Sequence, residues 1–205
     1  MNDPRYGIFL RPDPATCLAV TQITHAVRQQ FGFVAATVFA PHATFLGNVR
    51  IDCTPEQLVE ALDPVFESIS PFPVYNHGIE TLPGSVRYNI NLDASGAVAN
   101  ADLARANDAI RTVVVPLHVR HEDYLAPNAA DYVFSAHLSL ASFELAVEPR
   151  LQREVGEFIR GLPITAPSSF LLGWYTLFRF PGADWAGRWW EDMPWKHVNS
   201  WDVRS

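Results

Sequence analysis

Apolar and polar positions change their spacing along this chain in a repeating order, and that order predicts the elements. A short apolar run, "RYGIFLRP", reads as a strand ended by Pro12. The spacing then becomes helical in "PATCLAVTQITHAVRQQFG", a helix of about 15 residues entered at Pro14 and closed by Gly32. "HATFLGNVRI" is again strand-like. In "CTPEQLVEALDPVFESIS", Thr54 is placed as an N-cap, Pro55 occupies the first helical position, and Gln57 completes a capping box. "FPVYNHGIETLPGSVRYNINLD" reads as two strands joined around Pro83 and Gly84. The second alternates Val86, Tyr88, Ile90 and Leu92 with Arg87, Asn89 and Asn91, one face apolar and one polar.

The second half runs through the same order. "VANADLARANDAIRTVV" is a helix, and an irregular stretch, "PLHVRHEDYLAPNAADY", leads to the strand-like "SAHLSLASF". A further helix, "EPRLQREVGEFIRG", has Pro149 near its first turn and Gly161 at its end, and "LPITAPSSFLLGWYTLFRFPG" supplies strand material. Pro55 follows His42 by 13 residues and Pro149 follows His137 by 12. "ISPFPV" matches "IRGLPI", and an aromatic-rich strand follows each, "VRYNINL" or "WYTLFRF". This weak duplication predicts an α+β fold: two similar lobes about an approximate two-fold axis, with two mostly antiparallel sheets flanked by helices and a cleft between them. No flexible linker divides the halves, so residues 1–205 are expected to fold as one unit.

Composition narrows the partners. With 205 residues, 48% of them hydrophobic, the chain can bury a substantial core. Its formal net charge of -7 gives no general attraction to duplex DNA or to an anionic membrane, so an anionic ligand must be small and locally held. The start, "MNDPRYGIFLRPDP", has no signal-like core and no apolar run approaches the roughly 18 residues of a membrane span, so a cytoplasmic protein is expected. Cys17 and Cys53 stand in neither a disulfide framework nor a zinc pattern.

The chemistry lies in a pair of short segments. On a strand, residues two apart share a face, so His42 projects with Thr44 and His137 with Ser139, while Ala43, Phe45, Leu138 and Leu140 turn to the opposite, apolar side. If the halves are equivalent, both imidazole and hydroxyl pairs face one cleft. An unperturbed imidazole titrates near pH 6.5, so one ring can be neutral while the other is protonated. Hydroxyls between them can hold the non-bridging oxygens of a phosphate. Such a site can break a phosphodiester without metal or cofactor, one histidine taking a proton from water and the other protonating the departing oxygen.

"HATFLG" and "HLSLASF" resemble the paired H-x-[ST]-x signatures of the 2H phosphoesterase superfamily, which includes 2',3'-cyclic phosphodiesterases and bacterial 2'-5' RNA ligase-like proteins. The likeness extends over almost the entire chain. It implies the bilobal α+β fold, with His42 and His137 as acid-base pair and Thr44 and Ser139 as phosphate-binding hydroxyls. By analogy with the plant-type cyclic phosphodiesterases, His42 would protonate the leaving oxygen and His137 would orient water. Gly47 follows the first motif in the short form seen in cyclic phosphodiesterases. Before the second histidine the chain reads "VFSA", where a proline is commoner.

Several other residues are candidates for substrate binding. Arg87, Asn89 and Asn91 form a polar strand face, and Arg179 is their counterpart in the second hairpin. Tyr6 and Phe9, with Trp174 and Tyr175, offer rings on which a base can stack. "HVRHED", residues 118 to 123, suits a loop better than a metal site and reads as a flap over the cleft. Five of the six tryptophans stand between 185 and 201, a density that needs burial or a partner: wrapping onto the second lobe is expected, with a dimer contact as the alternative in an otherwise monomeric protein. The expected activity is metal-independent opening of a nucleotide or RNA-terminal 2',3'-cyclic phosphate. Alternatives are cleavage of linear 2'-5' or 3'-5' linkages, or nucleotide binding without turnover.

Overall fold

The computed structural model describes residues 4–119, 133–181, 185 and 187–204. Strand β1 (Arg5–Leu10) leads through helix α1 (Pro14–Phe31) to β2 (Ala43–Val49), α2 (Pro55–Ser68) and β3 (Phe72–Tyr75). Then come the hairpin β4 (Ile79–Leu82) and β5 (Ser85–Asn89), α3 (Ala101–Val114), β6 (His137–Ala141), the short α4 (Phe143–Val147) and α5 (Gln152–Gly161). Three strands end the chain: β7 (Ser169–Leu172), β8 (Trp174–Phe180) and β9 (Lys196–Asp202).

Local signals fix most boundaries. Asp13 accepts from the Thr16 amide at 2.9 Å and Gly32 closes α1 in the left-handed conformation. Thr54 and Gln57 exchange both capping-box bonds. Gly84, at φ 75, allows the tight reversal entered at Pro83. Its amide donates to Gln152 Oε1 while the Gln152 side-chain amide donates to the Leu82 and Ser85 carbonyls, so α5 staples the hairpin. Pro149 does not head α5 directly: it opens a single 3-10 turn, and the helix begins at Gln152.

The strands form an antiparallel four-stranded sheet, β2-β1-β8-β9, a three-stranded sheet, β4-β5-β6, and a small β3-β7 pair. Two sheets carry the lobes and the third joins them, one more than the sequence pattern implied. The halves also divide differently from the sequence reading. β5 does not match β8; it is the counterpart of β1, because β5 pairs with the second histidine strand (Arg87 with Ser139) as β1 pairs with the first (Phe9 with Thr44). β4 is then the counterpart of β8, and the two are exchanged: β8, from the second half, pairs with β1, and β4, from the first half, pairs with β5.

Each motif strand bulges at the same place. Phe45 is the extra residue between Thr44 and Leu46, which face Phe9 and Ile8, and Leu140 is the extra residue between Ser139 and Ala141, which face Arg87 and Val86. The bulges break the simple alternation, so Phe45 and Leu46, like Leu140 and Ala141, are buried in succession. One core runs through both lobes, including Leu10, Ile23, Phe45, Leu103, Leu138 and Tyr175. A smaller cluster of Phe9, Phe39, Phe178 and Phe180 lies on the other face of the four-stranded sheet. Among the described residues, no helix is long and apolar enough to cross a membrane.

Candidate active site

His42 immediately precedes β2 and His137 opens β6, and both line one cleft of about 450 Å³ with Thr44, Ser139 and Arg87. The two rings are held alike. His42 Nδ1 lies 2.7 Å from the Ala40 carbonyl and His137 Nδ1 lies 2.8 Å from the Ser135 carbonyl, in each case two residues back along the chain. A carbonyl only accepts, so each Nδ1 carries a proton, and Nε2 is the nitrogen left for a ligand. Neither the Thr44 nor the Ser139 hydroxyl is bonded to another described residue. Among the described residues lining the cleft, Arg87 is the only Lys or Arg, and none is Asp or Glu.

The strand ladder explains how the environments of the rings differ. Phe9 stands where the second lobe has Arg87. His42 is met edge-on by Phe9 and Phe39, at 4.8 and 4.6 Å between ring centres. Gly7 makes room for this arrangement: a Cβ there would fall 2.4 Å from the Phe9 ring. Burial among these rings, opposed by the bond to Ala40 and reinforced by His137 across the cleft, pushes the His42 pKa down to about 4. His137 is also held below the ordinary histidine value, first by burial, against the Ser135 bond, and then by Arg87, whose Nη1 is 3.4 Å from Nδ1. Because that Nδ1 proton points to Ser135, the guanidinium acts there as a neighbouring charge. Arg87 is itself fixed by Glu80 on β4, 2.9 Å from both Nε and Nη2.

The other candidates fall elsewhere. Tyr6, Tyr175 and Arg179 share the opposite face of their sheet from Phe9, since residues two apart point the same way: Tyr6 and Tyr175 are buried in the main core, Tyr175 against Phe45 and Phe66, and Arg179 stands opposite Tyr6. Trp174 is covered by the guanidinium groups of Arg11 and Arg204, at 4.4 and 5.2 Å. Asn89 and Asn91 brace backbone: Asn89 Oδ1 accepts from the Asn91 amide and Asn91 Oδ1 accepts from the Ala136 amide at 2.9 Å. That last bond gives a use for the amide before His137, which a proline would lack. None of these residues lines the cleft. His118 bridges to Ile51, but residues 120–132, with the rest of the flap and of "HVRHED", lie outside the described residues. Among the described residues, no group of three His, Cys, Asp or Glu is placed to hold a metal ion.

The Trp-rich end wraps onto both lobes. Trp190 stacks on Phe143 of α4 in the second lobe, while Trp195 packs on Phe39 and donates to the Val38 carbonyl. Its last part is β9, the edge of the first sheet, where Trp201 stacks on Phe66 and donates to Asp63.

Two cleft features escape the strand pattern. Asn48 lines the cleft at φ 54, in a second bulge of β2 where Gly47 and Asn48 together face Gly7. The Gly-Asn pair inside a strand is the signal that marks it. Glu144, only 5% exposed on α4, accepts from the Val34 and Ala35 amides at 2.6 and 2.7 Å, so the second lobe grips the loop that ends at His42. Glu144→Ala leaves two amides without their acceptor and is expected to lower the unfolding free energy by about 1–3 kcal/mol. Glu144→Gln, whose amide oxygen accepts the same bonds, is expected to recover most of it. Urea denaturation of the two variants checks this.

Solved structures bear out the two-lobed α+β fold. LigT of E. coli, in a crystal structure with 3'-AMP, superimposes with a TM-score of 0.52 at 10% identity, over 99% of each chain. A protein described as a phosphoesterase gives 0.53 at 13% identity over 99% of each chain, and TT0787 of Thermus thermophilus gives 0.59 at 13% over 98% of each. No family model matches the sequence, and no curated protein does. At these identities the likeness is one of fold.

Proposed function

We propose that this protein hydrolyses a 2',3'-cyclic phosphate of a nucleotide or RNA end to a monoester. The observation that carries the reading is the pairing of two imidazoles, each with Nδ1 committed to a carbonyl, and two unengaged hydroxyls around a cleft whose described lining contains an arginine and no carboxylate. Crystal structures of LigT with 3'-AMP and with phosphate fit a cleft of this fold that takes a small nucleotide. In this scheme Thr44, Ser139 and Arg87 hold the non-bridging oxygens. Water attacks phosphorus as His137 Nε2 takes its proton, the bond to one ribose oxygen breaks, and His42 Nε2 gives its proton to that oxygen. Water has then been added across one P–O bond, and the two imidazoles have exchanged protonation states, which solvent resets.

The assignment of roles rests on Arg87 and on the bound anion, since in the free protein burial already pushes the His42 pKa down to about 4. The Arg87 charge disfavours an imidazolium at His137, which suits a base, whereas His42 has rings where His137 has the guanidinium, and the bound phosphate anion favours its protonation. The test is turnover of the four nucleoside 2',3'-cyclic phosphates with chelator present, the products identified by phosphorus NMR. Monoester formed at an undiminished rate is the expected result. No turnover, loss of turnover with chelator, or turnover of linear dinucleotides alone overturns the reading.

The pH profile gives a second check. Burial lowers both histidine pKa values in the free protein, so the form with one ring protonated declines as pH rises through the acidic range, and kcat/KM declines with it. A bound anion raises the pKa of His42, so the descending limb of kcat is expected at higher pH than that of kcat/KM. Coincident limbs, or a rate rising monotonically through neutral pH, contradict the two-histidine scheme.

A further inference from the structure

The cleft has an aromatic corner that phosphate chemistry does not use. Phe143, Trp189 and Met193 line it together with the small side chains of Ala35, Ala36 and Ala146. Trp189 is partly exposed, yet three rings brace it: Phe143 at 5.0 Å and 67°, Trp185 at 5.4 Å and 52°, and Trp190 at 6.0 Å and 84°. Phe143 is in turn backed by Trp190, nearly parallel at 17°. Two rings at a steep angle form a corner whose orientation is set before any ligand arrives. A planar aromatic group fits there by lying along one face with its edge toward the other. The corner belongs to the same cavity as Arg87 and the two hydroxyls, so one ligand with an anionic end and a flat apolar end can reach both.

We propose that Trp189, braced by Phe143 and Trp190, is the stacking platform for the nucleobase of the ligand, so that the class favoured is a purine nucleotide. This rests on the proposed function only in its choice of ligand. The two faces of the corner, Trp189 and Phe143, carry no charged group, so discrimination at the platform follows stacking area: purines above pyrimidines, with all four accepted.

The test measures binding without turnover. Adenosine 3'-monophosphate, cytidine 3'-monophosphate and inorganic phosphate are titrated into the native protein, Trp189→Phe and Trp189→Leu by calorimetry. The leucine variant retains an apolar side chain in the packing, and its circular dichroism is compared with the native protein's. The native protein is expected to bind the adenosine ligand more tightly than the cytidine one. Trp189→Leu is expected to weaken adenosine monophosphate by roughly 5- to 150-fold and leave inorganic phosphate unchanged, and Trp189→Phe to keep most of the affinity. Equal losses for adenosine monophosphate and phosphate, or no loss for either, overturn the platform, as does a native protein that binds neither nucleotide. A protein that binds as stated but opens no cyclic phosphate overturns the reaction and keeps the platform. Equal kcat/KM for a base-free cyclic phosphate diester and for nucleoside 2',3'-cyclic phosphates overturns the platform and keeps the reaction.

Discussion

His42→Ala and His137→Ala are each expected to lower kcat on nucleoside 2',3'-cyclic phosphates by roughly 10²–10⁴-fold, the usual contribution of a positioned acid or base. Each ring is bonded to the backbone through Nδ1, two residues back along the chain, and leaves Nε2 for the cleft, so removal deletes the proposed proton carrier without breaking a hydrogen bond between elements. The double variant is expected to be little worse than the weaker single one, because both protons move in one reaction and neither transfer helps without the other. A variant retaining more than a tenth of native kcat, with native circular dichroism, contradicts the assignment. Substrate binding is expected to survive in both, since the phosphate contacts are assigned to Thr44, Ser139 and Arg87.

Arg87→Met is expected to show the second largest effect. A guanidinium bonded to a phosphate oxygen contributes about 1.5–3 kcal/mol, so kcat/KM falls roughly 10- to 150-fold. The partner left behind, Glu80, has 35% of its side chain exposed and takes up water, so the fold is not the casualty. The variant also has a signature that damage alone does not produce. Burial and Arg87 together hold the His137 pKa down, so without Arg87 that pKa rises and the limb of the pH profile that reports His137 moves to higher pH. Arg87→Lys keeps a charge but not the fork that grips Glu80, and is expected to lie between the two. A pH profile in which neither limb moves in Arg87→Met detaches Arg87 from His137.

Much of the site can be read from the sequence because it is written locally. A histidine two residues before a hydroxyl on a strand puts both on one face, and the Thr54 cap, the Gly84 turn and the helix ends are decided by neighbours in the chain. The rest depends on partners distant in sequence. Nothing around Glu144 announces that its carboxylate meets amides 110 and 109 residues away. Tyr6, Tyr175 and Arg179 are plausible base or phosphate contacts until the sheet's two faces are assigned, and only the ladder puts Phe9 on the cleft side. β9, with Lys196 and His197 exposed, lacks the apolar alternation of a buried strand and forms as an edge because β8 offers it a ladder. The boundary between the halves is hidden for a related reason: reading along the chain groups each strand with what precedes it, whereas β4 and β8 each complete the sheet that starts the other half.

That exchange bears on how the molecule could be taken apart. A chain cut at Pro83–Gly84 would give two fragments, each carrying the strand the other needs, so neither closes its own sheet and the pair reassembles only as a complex. The same interlock sets the gauge of the cleft. To move His137 away from His42 as a hinge would, the two lobe sheets must part, which opens the core that runs through both and strains the β3–β7 pair where the crossing segments meet. The two histidines are thus held like the jaws of a fixed spanner, which accepts what matches its width instead of closing around what enters.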